Sequence, residues 1–186
     1  MAVKAAHLLT ADEFFALPGE LRYTELIDGE IVVNEPLPRH QRIVGWIYHR
    51  LMAFVEENPG AGEPGLPVDT PIDEYNVFGP DVWWTRPEHI LARDAKRADG
   101  VPDLVVEVRS PNTWRYDIGP KKDHYERAGL PELWLVDTES DTVTVHRRSS
   151  PDSRTFDVSF VTGTGDSLTT PIIPGFALDL AILFDR

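Results

Sequence analysis

The segment Val101-Pro-Asp-Leu-Val-Val-Glu-Val-Arg109 places two acids and a base inside a run otherwise fit for a hydrophobic core. In an extended strand alternate side chains share a face, so Asp103, Val105, Glu107 and Arg109 point one way and Leu104 and Val106 the other. A carboxylate so placed is costly to bury unless a cation, a hydrogen-bond donor or a metal accompanies it. The simplest partner for Glu107 is Arg109, one position along the same face. Three other segments offer more. Pro80-Asp81-Val-Trp-Trp84 opens a second apolar run with an acid, and if the two runs lie side by side, Asp81 and Glu107 converge. Glu25 shares a face with Tyr23 and Ile27 in a third apolar run, and Lys121 follows the 101–109 run closely enough to reach its C-terminal end. Oxygen ligands of this kind suit hard cations such as Mg2+ or Mn2+, which commonly take one or two carboxylates plus substrate phosphate. A metal between the acids would polarise a phosphate oxygen and activate water, and a lysine would stabilise developing charge. Metal-assisted phosphodiester hydrolysis is the reaction this set suits.

The elements that must position these residues follow from patterning. Thr10 to Leu17, with a cap residue and early acids before apolar positions, reads as a short helix ended by Pro18-Gly19. Two apolar runs flank Asp28-Gly29 between Arg22 and Val33, a strong hairpin signal. After Pro36 and Pro38, Ile43, Val44, Ile47, Tyr48, Leu51, Phe54 and Val55 recur at helical spacing until Asn58-Pro-Gly60 stops them. Leu66 to Ile72 and Pro80 to Thr85 read as short strands, and the charged stretch 86–100 as an exposed loop. Pro102 to Arg109 is apolar on both faces, as a central strand should be. A helix from about Asp117 to Ala128 follows, closed by Gly129 and Pro131. Glu132 to Asp137, Thr142 to His146 and Arg154 to Phe160 read as strands, and Phe176 to Phe184 as a terminal helix. The succession predicts an α/β (α+β) fold, a mixed sheet with helices packed on it, in a single domain spanning 1–186.

Composition bounds the function. The 186 residues are enough for one domain with its own core. No cysteine is present, which excludes disulfides, cysteine–zinc sites and thiol nucleophiles. Met1 to Leu9 holds only a brief apolar stretch before Asp12 and Glu13, too short for a signal peptide, and no run of the length that spans a membrane occurs. A cytoplasmic location and no membrane partner are expected. The net charge of −13 runs against a simple nucleic-acid binder, whose faces are usually basic. An acidic protein can still take a polyanion if its acids hold divalent metal and its cations cluster. Partial clusters exist at Arg39 and Arg42, at Arg93, Lys96 and Arg97, and at Arg109, Arg115, Lys121 and Lys122.

Several of these segments together resemble a family. Tyr23-Thr-Glu-Leu-Ile-Asp-Gly-Glu30, His40 at the start of the long helix, Pro80-Asp81-Val and Val101 to Pro111 carry the likeness. So do Tyr116-Asp-Ile-Gly-Pro-Lys121, Tyr125 to Asp137 and Pro174-Gly-Phe176. The chain resembles the Uma-two family of restriction-type endonucleases, within the PD-(D/E)XK nuclease superfamily, from about residue 10 to 183. The resemblance implies a restriction-endonuclease-like core, a central mixed sheet between helices, with Mg2+ or Mn2+ as cofactor and DNA as partner. By that pattern Asp81 is the first metal-binding aspartate, Glu107 the second acid, the main-chain carbonyl of Val108 a third metal contact, and Glu25 an additional acid. The chain departs from the pattern at Arg109, where the superfamily has lysine. Arginine keeps the charge but is a permanent cation of different geometry and cannot act as a base. The resemblance moves the lysine's role to Lys121, with Arg109 as a phosphate or transition-state contact. Lys122, about 100° further round if the segment is helical, would point elsewhere.

Asp103 reads as a supporting acid or a strand-edge cap, and His40 equally as a packed histidine or a substrate or metal contact. Tyr125, one turn beyond Lys121, should pack there with its hydroxyl on a partner. Trp83, Trp84 and Trp134 read as core in preference to base-stacking residues. Three functions compete: a divalent-metal-dependent DNA endonuclease, a catalytically silent nuclease-fold binding module, and a metal-dependent hydrolase of a small phosphate ester. A homodimer would suit an enzyme that cuts two strands.

Overall fold

A computed structural model describes residues 7–19 and 22–186. The reading of Met1 to Leu9 therefore falls partly on residues 1–6, outside the described residues. Helix α1 (Ala11–Phe15) begins at Thr10, whose side chain accepts from the Glu13 amide while Glu13 reaches back to the Thr10 amide. Strands β1 (Thr24–Ile27) and β2 (Glu30–Val33) pair antiparallel through a two-residue turn, with Asp28 and Gly29 both at positive φ as such a tight hairpin requires. Helix α2 (Pro38–Glu57) takes Pro38 in its first turn, where the missing amide costs nothing. It buries Ile43, Val44, Ile47 and Leu51, each contributing roughly 1.5–3 kcal/mol.

Four strands follow: β3 (Glu63–Gly65), β4 (Thr70–Asp73), β5 (Asn76–Phe78) and β6 (Val82–Thr85). Where one strand was expected from Leu66 to Ile72, strand begins only at Thr70, as β4; residues 66–69, with Pro67, form a loop from β3, and β3 and β4 lie at the edges of different sheets. Then come β7 (Leu104–Val108), α3 (Trp114–Tyr116) and α4 (Lys122–Arg127), joined by one wide turn at Asp117–Lys121. The single helix expected at 117–128 is thus broken, at Gly119 and Pro120, where the backbone leaves helical geometry and an amide is missing. Strands β8 (Glu132–Asp137), β9 (Thr142–Arg147), β10 (Val158–Gly163), β11 (Ser167–Thr169) and β12 (Ala177–Asp179) precede α5 (Leu180–Phe184). The expected terminal helix from Phe176 starts later, because Ala177–Asp179 pairs with β11 and Asp179 then caps α5.

The main sheet has the order β10-β9-β8-β7-β6-β3, with β7 interior and parallel to β8 and the other pairs antiparallel. A second sheet runs β2-β1-β5-β4. One face of the main sheet, with Val82, Leu104, Val106 and Trp134, packs against α2 and α5. The opposite face, with Val105, Leu133 and Leu135, packs against Tyr125, Leu130 and the second sheet's Ile27 and Phe78. This is the mixed sheet flanked by helices that the patterning predicts. No helix of the described residues is long and apolar enough to cross a membrane.

Candidate active site

Strand pairing delivers the two strand acids to one place. The β6–β7 register sets Val82 against Val106, and one further residue sets Asp81 against Glu107 on the same face. The Val108 amide, beyond the last paired residue, donates to Asp81 Oδ2 at 2.8 Å, so the carboxylate closes the end of the ladder. His40, buried on the first turn of α2, has Nε2 3.1 Å from the same oxygen. Its Nδ1 is buried without a hydrogen-bond partner in the described structure.

Glu107 is 2% exposed, yet it is far from solitary. The parallel pairing of β7 and β8 demands a crossover, and that crossover carries α3, the wide turn and α4 over this face of the sheet. The turn ends on Lys121, whose ammonium lies 2.9 Å from Glu107 Oε1, 2.9 Å from Glu25 Oε1 and 3.1 Å from Asp117 Oδ1. Tyr125, one turn later, donates to Glu107 Oε1 at 2.7 Å. Glu25 comes from β1 and is held by the Gly79 amide at 2.8 Å. One lysine is thus enclosed by three carboxylates drawn from β1, β7 and the crossover. A cleft of about 370 Å³ opens over Glu25, His40, Asp81, Glu107 and Lys121.

The electrostatics follow from burial with excess acid. Burial pushes Glu107 well above the ordinary carboxylate range; Lys121 opposes the shift, and Asp117, Asp81 and Glu25 add to it. Burial likewise raises Asp117 to about 7 against the pull of Lys121. For Lys121 burial alone would favour the neutral amine, but Glu107, Glu25 and Asp117 outweigh it and hold the group well above the usual lysine value. Lys121 is a fixed cation, not a base.

Two predicted residues stand apart. Arg109 does not neutralise Glu107: its guanidinium binds Asp137 at 3.0 Å and also Glu139, and it lies over the Trp114 ring. Asp103 shares the Glu107 face but sits at the other end of β7, where it accepts from the Arg86 amide and binds the Arg86 and His89 side chains. It closes a loop and does not reach the cleft. Lys122 turns outward to Asp123. Trp84 and Trp134 are core residues, their indole N–H groups bonded to the Ala61 carbonyl and to Glu132. Two acids escape the sequence reading. Asp117 had one available signal, its i,i+4 spacing from Lys121. Asp69 lines the cleft from a proline-rich loop with no periodicity to mark it.

Among the described residues no three histidine or acidic side chains are grouped to hold an ion by themselves. The carboxylates of Asp81 and Glu107, which the strand register brings side by side, are oxygen donors of the kind that suits Mg2+ or Mn2+. Each carboxylate uses one oxygen for its protein donors: Oδ2 in Asp81, Oε1 in Glu107. The acids Glu25, Asp69, Asp81 and Glu107 line the cleft beside Lys121, an excess of carboxylates that a bound cation would offset. The residues fit the ion.

The mixed sheet flanked by helices that carries these residues has a counterpart among solved structures. A solved structure described as "a putative nuclease belonging to DUF820", from Anabaena variabilis, shares that fold, with a TM-score of 0.80, 21% sequence identity and coverage of 95% of this chain and 98% of that one. Residues 11–181 match the Uma2 (Uma-two) family model, described as "Putative restriction endonuclease", and the chain belongs to that family. No curated protein matches the sequence.

Proposed function

We propose that this protein is a divalent-metal-dependent endonuclease that hydrolyses DNA phosphodiester bonds. The observation that carries the reading is the meeting of Asp81, Glu107 and Lys121 in one cleft, delivered by two antiparallel strands and a crossover. Asp81 and Glu107, with the Val108 carbonyl, would hold the ion; bound there, Mg2+ or Mn2+ would withdraw charge from the phosphate and ease deprotonation of water. The protein's own contribution is orientation and charge. The Val108 amide and His40 fix Asp81 through one oxygen, and Tyr125 and Lys121 fix Glu107 through one oxygen. Lys121, permanently protonated, supplies a preorganised positive charge to a phosphate entering the cleft. Glu25 and Asp117 hold that ammonium in place. The proposed setting is the cytoplasm, with two copies pairing so that both strands of a duplex are addressed.

The silent binding module remains the second reading, favoured by one fact: Glu25, Glu107 and Asp117 already surround the Lys121 ammonium, so at least one of them must give way for it to donate to a phosphate. Incubation of the purified protein with plasmid and single-stranded DNA, with Mg2+ or Mn2+ and with EDTA, separates the two. Metal-dependent cleavage absent in both Asp81→Ala and Glu107→Ala is expected. No cleavage, together with no divalent-ion binding by calorimetry, would overturn the endonuclease and leave the module.

A further inference from the structure

The same face of β6 that presents Asp81 to the cleft presents Trp83 and Thr85 to a second and larger cavity. This pocket, about 500 Å³, lies between the end of β6 and the 86–102 loop. It adjoins the cleft, since Val68 lines both, and the Ala98 amide donates to the Asp69 carbonyl between them at 2.9 Å. Asp81 and Thr85 are four residues apart on one strand, about 13 Å, the rise of roughly four stacked nucleotides.

Three features suit the pocket to a ligand. Thr85, 2% exposed, is among the residues that line it, and its buried hydroxyl has no hydrogen-bond partner in the described structure. A buried hydroxyl without a partner is costly, and a ligand that bonds it recovers that cost. One wall is aromatic and immobile. The Trp83 indole lies over Gly65, where even a methyl group would collide with the ring, and its N–H donates to the Leu66 carbonyl at 2.7 Å. The rim is built and carries cations. Asp103 ties down Arg86 and His89 at the start of the loop, and Arg97 stacks on Phe15 at 3.9 Å. Residues 86–102 hold four cations, Arg86, Arg93, Lys96 and Arg97, against three acids, Glu88, Asp94 and Asp99, a local excess of one positive charge in a chain of −13.

We propose that this pocket is a nucleobase subsite, which receives one unstacked base of the nucleic-acid strand whose backbone crosses the cleft. An aromatic wall, a buried unpaired hydroxyl and an apolar floor match a flat ring with a polar edge, and the loop cations match the flanking phosphates. The inference rests on the nucleic-acid reading of the cleft and adds a determinant of base preference to it. It also explains Asp103, a buried acid that the cleft does not use: it positions the rim.

Binding of fluorescent twelve-residue strands is measured by anisotropy in EDTA, where no cutting occurs. An oligothymidylate and a strand of the same length built wholly from abasic residues are compared. The base-bearing strand binds roughly tenfold more tightly or better. Ala95→Trp, which fills the pocket from its exposed loop, and Thr85→Val, which removes only the hydroxyl, both shrink that ratio. The four homopolymers also change their order of affinity in Thr85→Val. Equal affinity for both strands overturns the proposal, as does a ratio unchanged in folded Ala95→Trp. Competition by a free nucleoside monophosphate at the pocket, without any base effect on the strand, makes it a free-nucleotide site and overturns the strand assignment. A protein that cuts DNA with manganese but shows no base effect keeps the endonuclease reading and loses the subsite. One that shows the base effect but never cuts does the reverse.

Discussion

Lys121 is the residue on which the buried charges depend. Breaking a buried ion pair from one side leaves the other charge uncompensated, typically at about 3–5 kcal/mol. Lys121→Met is therefore expected to lose stability on that order at pH 8, measured by urea denaturation, and less at pH 5, where its former partners take up protons. Asp117 provides a separate pH test. Its folded value of about 7 lies above the unfolded value of 3.8, so the folded state retains a proton that the unfolded chain releases. Stability from this group is full below the unfolded value and lost as pH rises through about 7. The melting temperature of Asp117→Asn should accordingly gain on the parent protein between pH 4 and pH 7 and hold that difference above it. A difference that shrinks across this window would show that the Lys121 contact, not burial, dominates Asp117.

At the scale of elements, two glycines make opposite predictions. Gly45 sits on the exposed side of α2 with nothing near its missing side chain, so Gly45→Ala should stabilise by about 0.5–1 kcal/mol. Gly65, on edge strand β3, lies under the Trp83 ring, with an added carbon 1.9 Å from it, so Gly65→Ala should destabilise by about 1–3 kcal/mol. Equilibrium unfolding of the pair measures both. The elements were legible wherever local chemistry was decisive: the Thr10 cap, the Asp28-Gly29 turn, the apolar stripe of α2, the two-sided burial of β7. They were less so where pairing partners decide. Ala177–Asp179 is a strand because β11 lies beside it, and the crossover breaks because Gly119 and Pro120 interrupt an otherwise helical run. The candidate site was read through the misplaced acids, and alternation put Asp103 on the Glu107 face. Alternation cannot say that they belong to opposite ends of that face. It was equally silent on Asp137 and Glu139, at the end of the neighbouring strand β8 and just past it, which claim Arg109.

The whole molecule is strongly acidic, with a net charge of −13, and concentrates four acids about one cleft. Divalent ions should therefore stabilise the native state by mass action, raising the melting temperature with concentration, while monovalent salt at equal ionic strength should not reproduce the effect. Asp81→Ala should abolish the divalent increment. The most direct measurement of the central claim, that the crossover lysine is the working cation of a metal-dependent nuclease, is the rate of plasmid nicking with Mn2+ in Lys121→Ala and Arg109→Ala. Removing a preorganised donor to a developing charge costs about 10²–10³ in rate. Lys121→Ala is expected to lose at least that much, and Arg109→Ala, whose charge is spent on Asp137 and Glu139, far less. Full nicking by Lys121→Ala alongside loss in Arg109→Ala would contradict the account.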